Sequence, residues 1–226
     1  MTELTNVADN ILYFRREIPS GTELVAVSKF HPAEAIQAAY EVGQRCFGES
    51  RVQEFLEKVK ILPEDIKWHF IGHLQTNKVR QIIGKTSLIE SVDSERLLRL
   101  IDSESAKAGV TTRVLLQVHV AKEETKFGFL PEELLSFFRE RRFETLTNTH
   151  ICGIMGMASN TDDMERVRKD FAEIASIFRT ISTDETLGLR GFDMISMGMS
   201  HDWRIAVEEG ATIVRIGSSI FGDRNY

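Results

Sequence analysis

The chain has 226 residues, 42% of them hydrophobic and 27% charged, with a formal net charge of -6. This composition fits an ordinary globular protein and excludes collagen-like and disordered classes. The negative balance argues against nucleic acid or an anionic membrane surface as a partner. Two cysteines, Cys46 and Cys152, lack a CxxC spacing, so they predict reduced core residues in a cytoplasmic protein. The stretch from Met1 to Asn10 is polar and predicts no secretory leader, and no apolar run reaches membrane-span length.

The elements expected in chain order begin with a helix over 6–16. A strand over 23–28, a helix over 32–42, a strand over 45–48 and a helix over 50–60 follow. Next come a strand over 67–71, a helix over 77–83, a short strand over 88–91 and a helix over 94–108 capped by Ser94. The β-branched run 113–120 is the clearest strand, and the helix over 131–141 carries Pro131 in its first turn. The last units are a strand over 150–155, a helix over 162–180, a strand over 192–196, a helix over 202–209 and a strand over 212–216. Eight strands alternating with helices predict parallel pairing and right-handed crossovers. The fold class is therefore α/β, a single (β/α)8 TIM barrel over 1–226 with an extra N-terminal helix. A doubly wound sheet competes, but no GxGxxG or GxxxxGK[ST] loop follows the first strand.

In such a barrel the chemistry collects at the C-terminal strand ends. These ends carry Lys29, Gly48-Glu49-Ser50, Gly72-His73, Asp93, Ala121-Lys122, Met155-Gly156-Met157, Met197-Gly198-Met199-Ser200 and Gly217-Ser218-Ser219. A lysine at a buried strand's lip is desolvated, which favours the neutral amine and Schiff-base chemistry. Taken alone, that segment fits better a lysine that snorkels into water. Ser200, Gly217 and Ser218 lie in the loops after strands seven and eight, the usual phosphate corner of this fold. Each is also readable as a helix cap or a turn. Arg215 points to the same side of the last strand as Gly217 and needs an acceptor, either a pyridine nitrogen or a structural carboxylate. A Schiff-base lysine, a phosphate cup and a ring-nitrogen arginine together match pyridoxal 5'-phosphate (PLP).

The matching stretches are Val25-Ala26-Val27-Ser28-Lys29, Phe47-Gly48-Glu49, and Trp68-His69-Phe70-Ile71-Gly72 through Lys78. Lys126-Phe127-Gly128, Gly153-Ile154-Met155, Ser196-Met197-Gly198-Met199-Ser200 with Asp202, and Val214-Arg215-Ile216-Gly217 through Gly222 complete the set. With these the sequence resembles the PLP-binding homeostasis proteins, whose barrel is similar to the N-terminal domain of alanine racemase. The resemblance implies that Lys29 carries PLP as an internal aldimine and that Ser200, Gly217 and Ser218 hold the phosphate. It places Arg215 against the pyridine nitrogen, Met155 and Met197 near the ring, and Asn77 at the cofactor mouth, where a helix cap is the alternative. Ser50 and His201 depart from the family pattern, which has asparagine and a small polar residue there.

An arginine at the ring nitrogen makes PLP a weaker electron sink. The opposing tyrosine of racemases belongs to a second domain that the resemblance does not extend to here. The implied role is PLP homeostasis, meaning cofactor buffering and delivery to PLP-dependent apo-enzymes, by a cytoplasmic monomer without robust catalysis. The alternatives are a weak amino-acid racemase of the same fold, or a phosphate-ligand barrel enzyme without PLP. No metal site is expected: His69 and His73 straddle a strand end, and HExxH is absent. Asp162-Asp163 reads as a charged helix start.

Overall fold

A strand that is buried on both faces needs side chains filling a barrel on one side and helices on the other. The computed structural model describes residues 2–120 and 127–222, with side chains from residue 6 onward. Ala121, Lys122 and Lys126 therefore lie outside the described residues. Eight strands close into one parallel barrel in chain order. They are β1 (Glu23–Val27), β2 (Cys46–Glu49), β3 (Lys67–Phe70), β4 (Leu88–Val92), β5 (Thr112–Val118), β6 (Thr149–Gly156), β7 (Met194–Ser196) and β8 (Ile213–Ile216). Alternation splits their side chains. Val25, Cys46, Leu88, Leu115, Cys152, Met155 and Ile213 form one cluster, the inside of the barrel. Ala26, Phe47, Phe70, Ile89, Val114 and Val214 belong to the larger cluster shared with the helices.

The helices are α1 (Thr2–Glu17), α2 (Ala33–Glu41), α3 (Val52–Val59), α4 (Val79–Ile82), α5 (Glu95–Ala108), α6 (Pro131–Arg139), α7 (Met164–Ser182), α8 (Trp203–Glu208) and α9 (Ser218–Phe221). The extra helix α1 buries Val7, Ile11, Phe14 and Ile18, one stripe at helical spacing. Phe14 meets Trp203 edge-on at 6.1 Å, and the Asn10 amide donates to the Ile220 carbonyl at 2.9 Å. Ser94 caps α5 as expected, accepting from the Leu97 N–H, and Gly109 ends the helix in a left-handed turn.

Some elements differ from expectation. The stretch read as one helix over 77–83 is a 3-10 turn (Thr76–Lys78) followed by the single turn of α4. The helix expected to reach 141 stops at Arg139, because Arg141 takes φ +55° and starts a new 3-10 turn, Arg142–Thr145. The strand expected from Phe192 begins at Met194, because the Phe192 ring is committed outward, stacked at 5.4 Å on Phe178. No helix among the described residues is long and apolar enough to cross a membrane.

The β5–β6 register slips by one residue. Val114 pairs with Ile151 but Leu115 pairs with Gly153, so Cys152 is extra. Gly153 carries φ +152°, and a Cβ there would fall 1.7 Å from the Met194 carbonyl oxygen on β7. Gly153→Ala is expected to destabilise the fold by on the order of 3 kcal/mol, measurable as a lowered urea midpoint. An unchanged midpoint would show that the bulge tolerates a side chain.

Candidate functional site

Lys29 leaves the barrel where β1 ends. Ser28 is still fully buried, and Lys29 is half-buried in the turn that follows. Phe30, next in the chain, sits at φ +68°, a left-handed conformation that costs a non-glycine residue roughly 1–2 kcal/mol. Glu54 on α3 accepts the Phe30 N–H at 2.6 Å, and the Arg51 guanidinium lies 4.4 Å from the Phe30 ring centroid. The Ser28 hydroxyl donates to Glu49 at 2.6 Å. Burial pushes the Glu49 carboxyl upward, against the pull of Lys58 and of Ser28.

Barrel closure brings the other half alongside. β8 pairs with β1 so that Val25 faces Arg215 and Ala26 faces Ile216. Gly217 therefore packs on Val27, and a Cβ there would meet the Val27 Cβ and carbonyl oxygen at 3.3 Å. The Ser200 hydroxyl accepts the Gly217 N–H at 3.3 Å and lies 3.3 Å from the Ser218 hydroxyl. The sequence predicts a loop at 217–218; α9 instead begins at Ser218, with Gly217 as its N-cap. The Ser200 loop turns at Gly198, φ +93°, where a Cβ would strike the Ala206 Cβ at 2.5 Å. Asp202 accepts the Met199 N–H, and the Arg215 N–H donates to the Gly198 carbonyl at 2.9 Å. Three hydroxyl and amide donors thus converge beside the Lys29 turn, a set suited to an anion.

Arg215 is buried and finds its acceptors inside the barrel. Nη1 donates to the Ser196 hydroxyl at 2.5 Å, and Nη2 donates to the Gly156 carbonyl at 3.1 Å. The Ser196 hydroxyl donates to Glu90 Oε2 at 2.6 Å, which is itself 3.6 Å from Nη1. Glu90 Oε1 lies 2.6 Å from His69 Nδ1, and since a carboxylate only accepts, that nitrogen holds the proton. Of the two acceptors that the sequence left open for Arg215, the structural carboxylate is present. Burial pushes the Glu90 carboxyl up, but His69, Arg215 and Ser196 outweigh it and leave it below the usual carboxylate range. Burial lowers Arg215, and Glu90 and Asp202 oppose that shift. Glu90 and His69 were missed as partners of the site. The signal was a glutamate within the otherwise apolar run Leu88-Ile89-Glu90-Ser91-Val92.

The remaining candidates separate. Met155 packs inside the barrel with Val25, Leu115 and Ile213. Met197 does not face the interior. It lies in the cluster shared with the helices, because alternation turns it away from the Ser196 side. Asn77 is exposed in the 3-10 turn and lines a surface pocket of about 450 Å³ with His73, Asp93 and Arg96, outside the hydroxyl cup. Its side chain caps nothing, since the residue before α4 is Lys78. Ser50 abuts Gly72, where a Cβ would fall 2.2 Å from the Ser50 carbonyl oxygen, and His201 is exposed beside Asp202. Glu23, Cys46 and His69 place donor atoms within 4.8 Å of one another, a grouping that the sequence did not disclose. The Cys46 thiol there is raised by burial and then by Glu23.

A closed parallel (β/α)8 barrel with its polar groups gathered where β1 meets β8 is the class defined by fold and site. The chain belongs to the family described as alanine racemase, N-terminal domain, whose model matches residues 2–225. It is 42% identical over 205 residues to a pyridoxal phosphate homeostasis protein of Aquifex aeolicus, covering 90% of this chain and 88% of that one. A mouse protein of the same name is 39% identical, covering 93% and 80%. The PLP-bound structure of PipY from Synechococcus elongatus is 34% identical, with a TM-score of 0.87 over 96% of this chain and 100% of that one. Alanine racemase of Streptomyces coelicolor shares the fold, with a TM-score of 0.77 at 20% identity over 97% of this chain and 58% of that one.

Glu90→Gln removes a buried charge from Arg215 and is expected to cost about 3–5 kcal/mol, read by chemical denaturation. Because the folded carboxyl is lowered, its stabilisation is present above the unfolded value and is lost as pH falls through the folded one. The wild-type melting midpoint therefore falls more steeply in acid than that of the variant. Parallel curves would remove Glu90 from the pH dependence.

Proposed function

We propose that this chain, one domain over 1–226, holds PLP covalently on Lys29 and serves PLP homeostasis, buffering the cofactor and delivering it to apo-enzymes. The observation that carries this reading is the β1–β8 seam, where the Lys29 turn, the Ser200–Gly217–Ser218 donors and Arg215 lie together. The names of the relatives at 42% and 39% identity, and the PLP-bound PipY structure, support it. The donor set fits the group: hydroxyls and amide N–H groups for a phosphate, and an amine for an aldehyde. PLP would supply that aldehyde. The Lys29 amine would be the group that holds this aldehyde covalently. Ser200, Ser218 and the Gly217 N–H would hold the phosphate, and Arg215 would donate to the ring nitrogen, with Met155 below in the barrel. Asn77 would sit at the outer mouth.

A protein without turnover of its own is the reading we favour. Arg215 is paired with Glu90 and hydrogen-bonded to Ser196, and a guanidinium keeps its proton, so it offers a ring nitrogen a hydrogen bond and no transferable proton. Action as a monomer in the cytoplasm, with PLP-dependent apo-enzymes as recipients and no part for nucleic acid or membrane, completes the proposal.

Lys29→Ala is expected to abolish the visible absorbance gained on adding PLP. Borohydride reduction followed by peptide mapping is expected to leave the pyridoxyl group on Lys29 of the wild type. Label on another lysine, or no band, would overturn the assignment. The double variant Ser200→Ala, Ser218→Ala is expected to weaken PLP binding by about tenfold or more while leaving the band's chemistry intact. Exchange of the alanine α-proton in deuterated water should stay at background; sustained exchange that depends on Lys29 would favour the racemase.

A further inference from the structure

The residues on either side of Lys29 are both tied to one buried cluster that the proposed function does not use. Lys58 of α3 is almost fully buried, its side chain 7% exposed. Its Nζ donates to three acceptors: the Ser28 carbonyl at 2.8 Å, Glu49 Oε1 at 2.7 Å and Glu54 Oε1 at 2.7 Å. The two carboxylates then reach the turn themselves. Glu49 accepts the Ser28 hydroxyl, and Glu54 accepts the N–H of Phe30 at its left-handed φ. The residue before Lys29 is thus gripped through its carbonyl and its hydroxyl, and the residue after it through its amide.

This arrangement is more than a buried ion pair. An ion pair between α3 and β2 would need only Lys58 and Glu49. Here the ammonium also spends a hydrogen bond on the backbone of the turn, and Glu54 holds a backbone conformation that Phe30 would not adopt unaided. Fixing both neighbours of a residue fixes its Cα and the direction of its Cβ, and with them the region its long side chain can sweep.

We propose that Lys58, acting through Glu54 and Glu49, is the positioning residue that aims Lys29 at the anion cup across the β1–β8 seam. The inference rests on Lys29 being the cofactor's tether. Lys58 does not touch the ligand; it sets the turn from which Lys29 reaches it.

The test uses the full chain titrated with PLP. It reads the visible absorbance and the induced circular dichroism of that band per bound cofactor, which reports orientation and which a change in global stability alone does not move. Lys58→Met is expected to bind PLP about tenfold or more weakly, with less induced signal and a smaller borohydride-trapped share on Lys29. Since that variant strands Glu49 in the core and can cost the fold, Glu54→Ala decides the matter, because Lys58 keeps Glu49. Glu54→Ala is expected to stay folded with a modestly lowered melting midpoint, yet, at temperatures where it is fully folded, to lose affinity and induced signal. Glu54→Gln, which still offers an oxygen to Phe30 and Lys58, is expected to restore both. A folded Glu54→Ala protein that matches the wild type in affinity and induced signal would overturn the inference while leaving the tether intact. A wild type with no band, or with label away from Lys29, would overturn the functional reading first and this inference with it.

Discussion

The pairing of β8 with β1 is the constraint on which the site depends. Val25 opposite Arg215 and Ala26 opposite Ile216 set a single register, and a two-residue extension of it brings Gly217 onto Val27 and the Lys29 turn beside Ser218. A slip of one residue would turn Arg215 out of the barrel and away from Glu90. The close approach also explains why position 217 takes no side chain: both the Cβ and the carbonyl oxygen of Val27 stand at 3.3 Å. The seam in fold space and the seam in chemistry are the same line.

The barrel interior carries Arg215, Glu90 and His69 where most barrels of this kind carry branched apolar side chains, and a second set of ions lies between the barrel and α3. Glu90, Arg215, His69 and Ser196 form one chain of hydrogen bonds, and Glu49, Lys58 and Glu54 form a second beneath the first strand's turn. Buried pairs of this sort seldom repay their desolvation in stability. Their effect here is directional. Each chain ends on a group beside the cup: Arg215 in one case, the residues flanking Lys29 in the other. The Glu49 Oε2 atom is buried without a partner, so the second network retains an unsatisfied acceptor next to the first strand's end.

The alternation of apolar strands with amphipathic helices made the barrel legible from residues alone, and the strand-end rule then located Lys29, Ser200 and Gly217. What stayed hidden depends on long-range packing. Nothing near Phe192 reveals that its ring leaves the sheet for Phe178, or that Arg141 reverses its φ. Met197 sits one step beyond the inward Ser196 at the end of β7, and that step turns it to the helix side, away from the interior that Met155 shares. Glu90 was visible as a charge in an apolar strand, but its partner Arg215 lies four strands away around the barrel. Such pairs become apparent only once the sheet is closed.

The Asn10 amide of α1 holds the carbonyl of Ile220 in α9, two residues 210 positions apart. Together with the β1–β8 ladder, this means that the earliest and latest segments of the chain must meet before the cup exists. Contacts of such separation come late in folding and slowly. During synthesis, the segments through β7 can emerge and collapse with β1 still an open sheet edge, which is the vulnerable stage for misassociation. A ligand bridging the seam lends its binding energy only to the closed form, so its stabilisation follows its free concentration. The abundance of the folded protein would then itself register how much of that ligand is at hand.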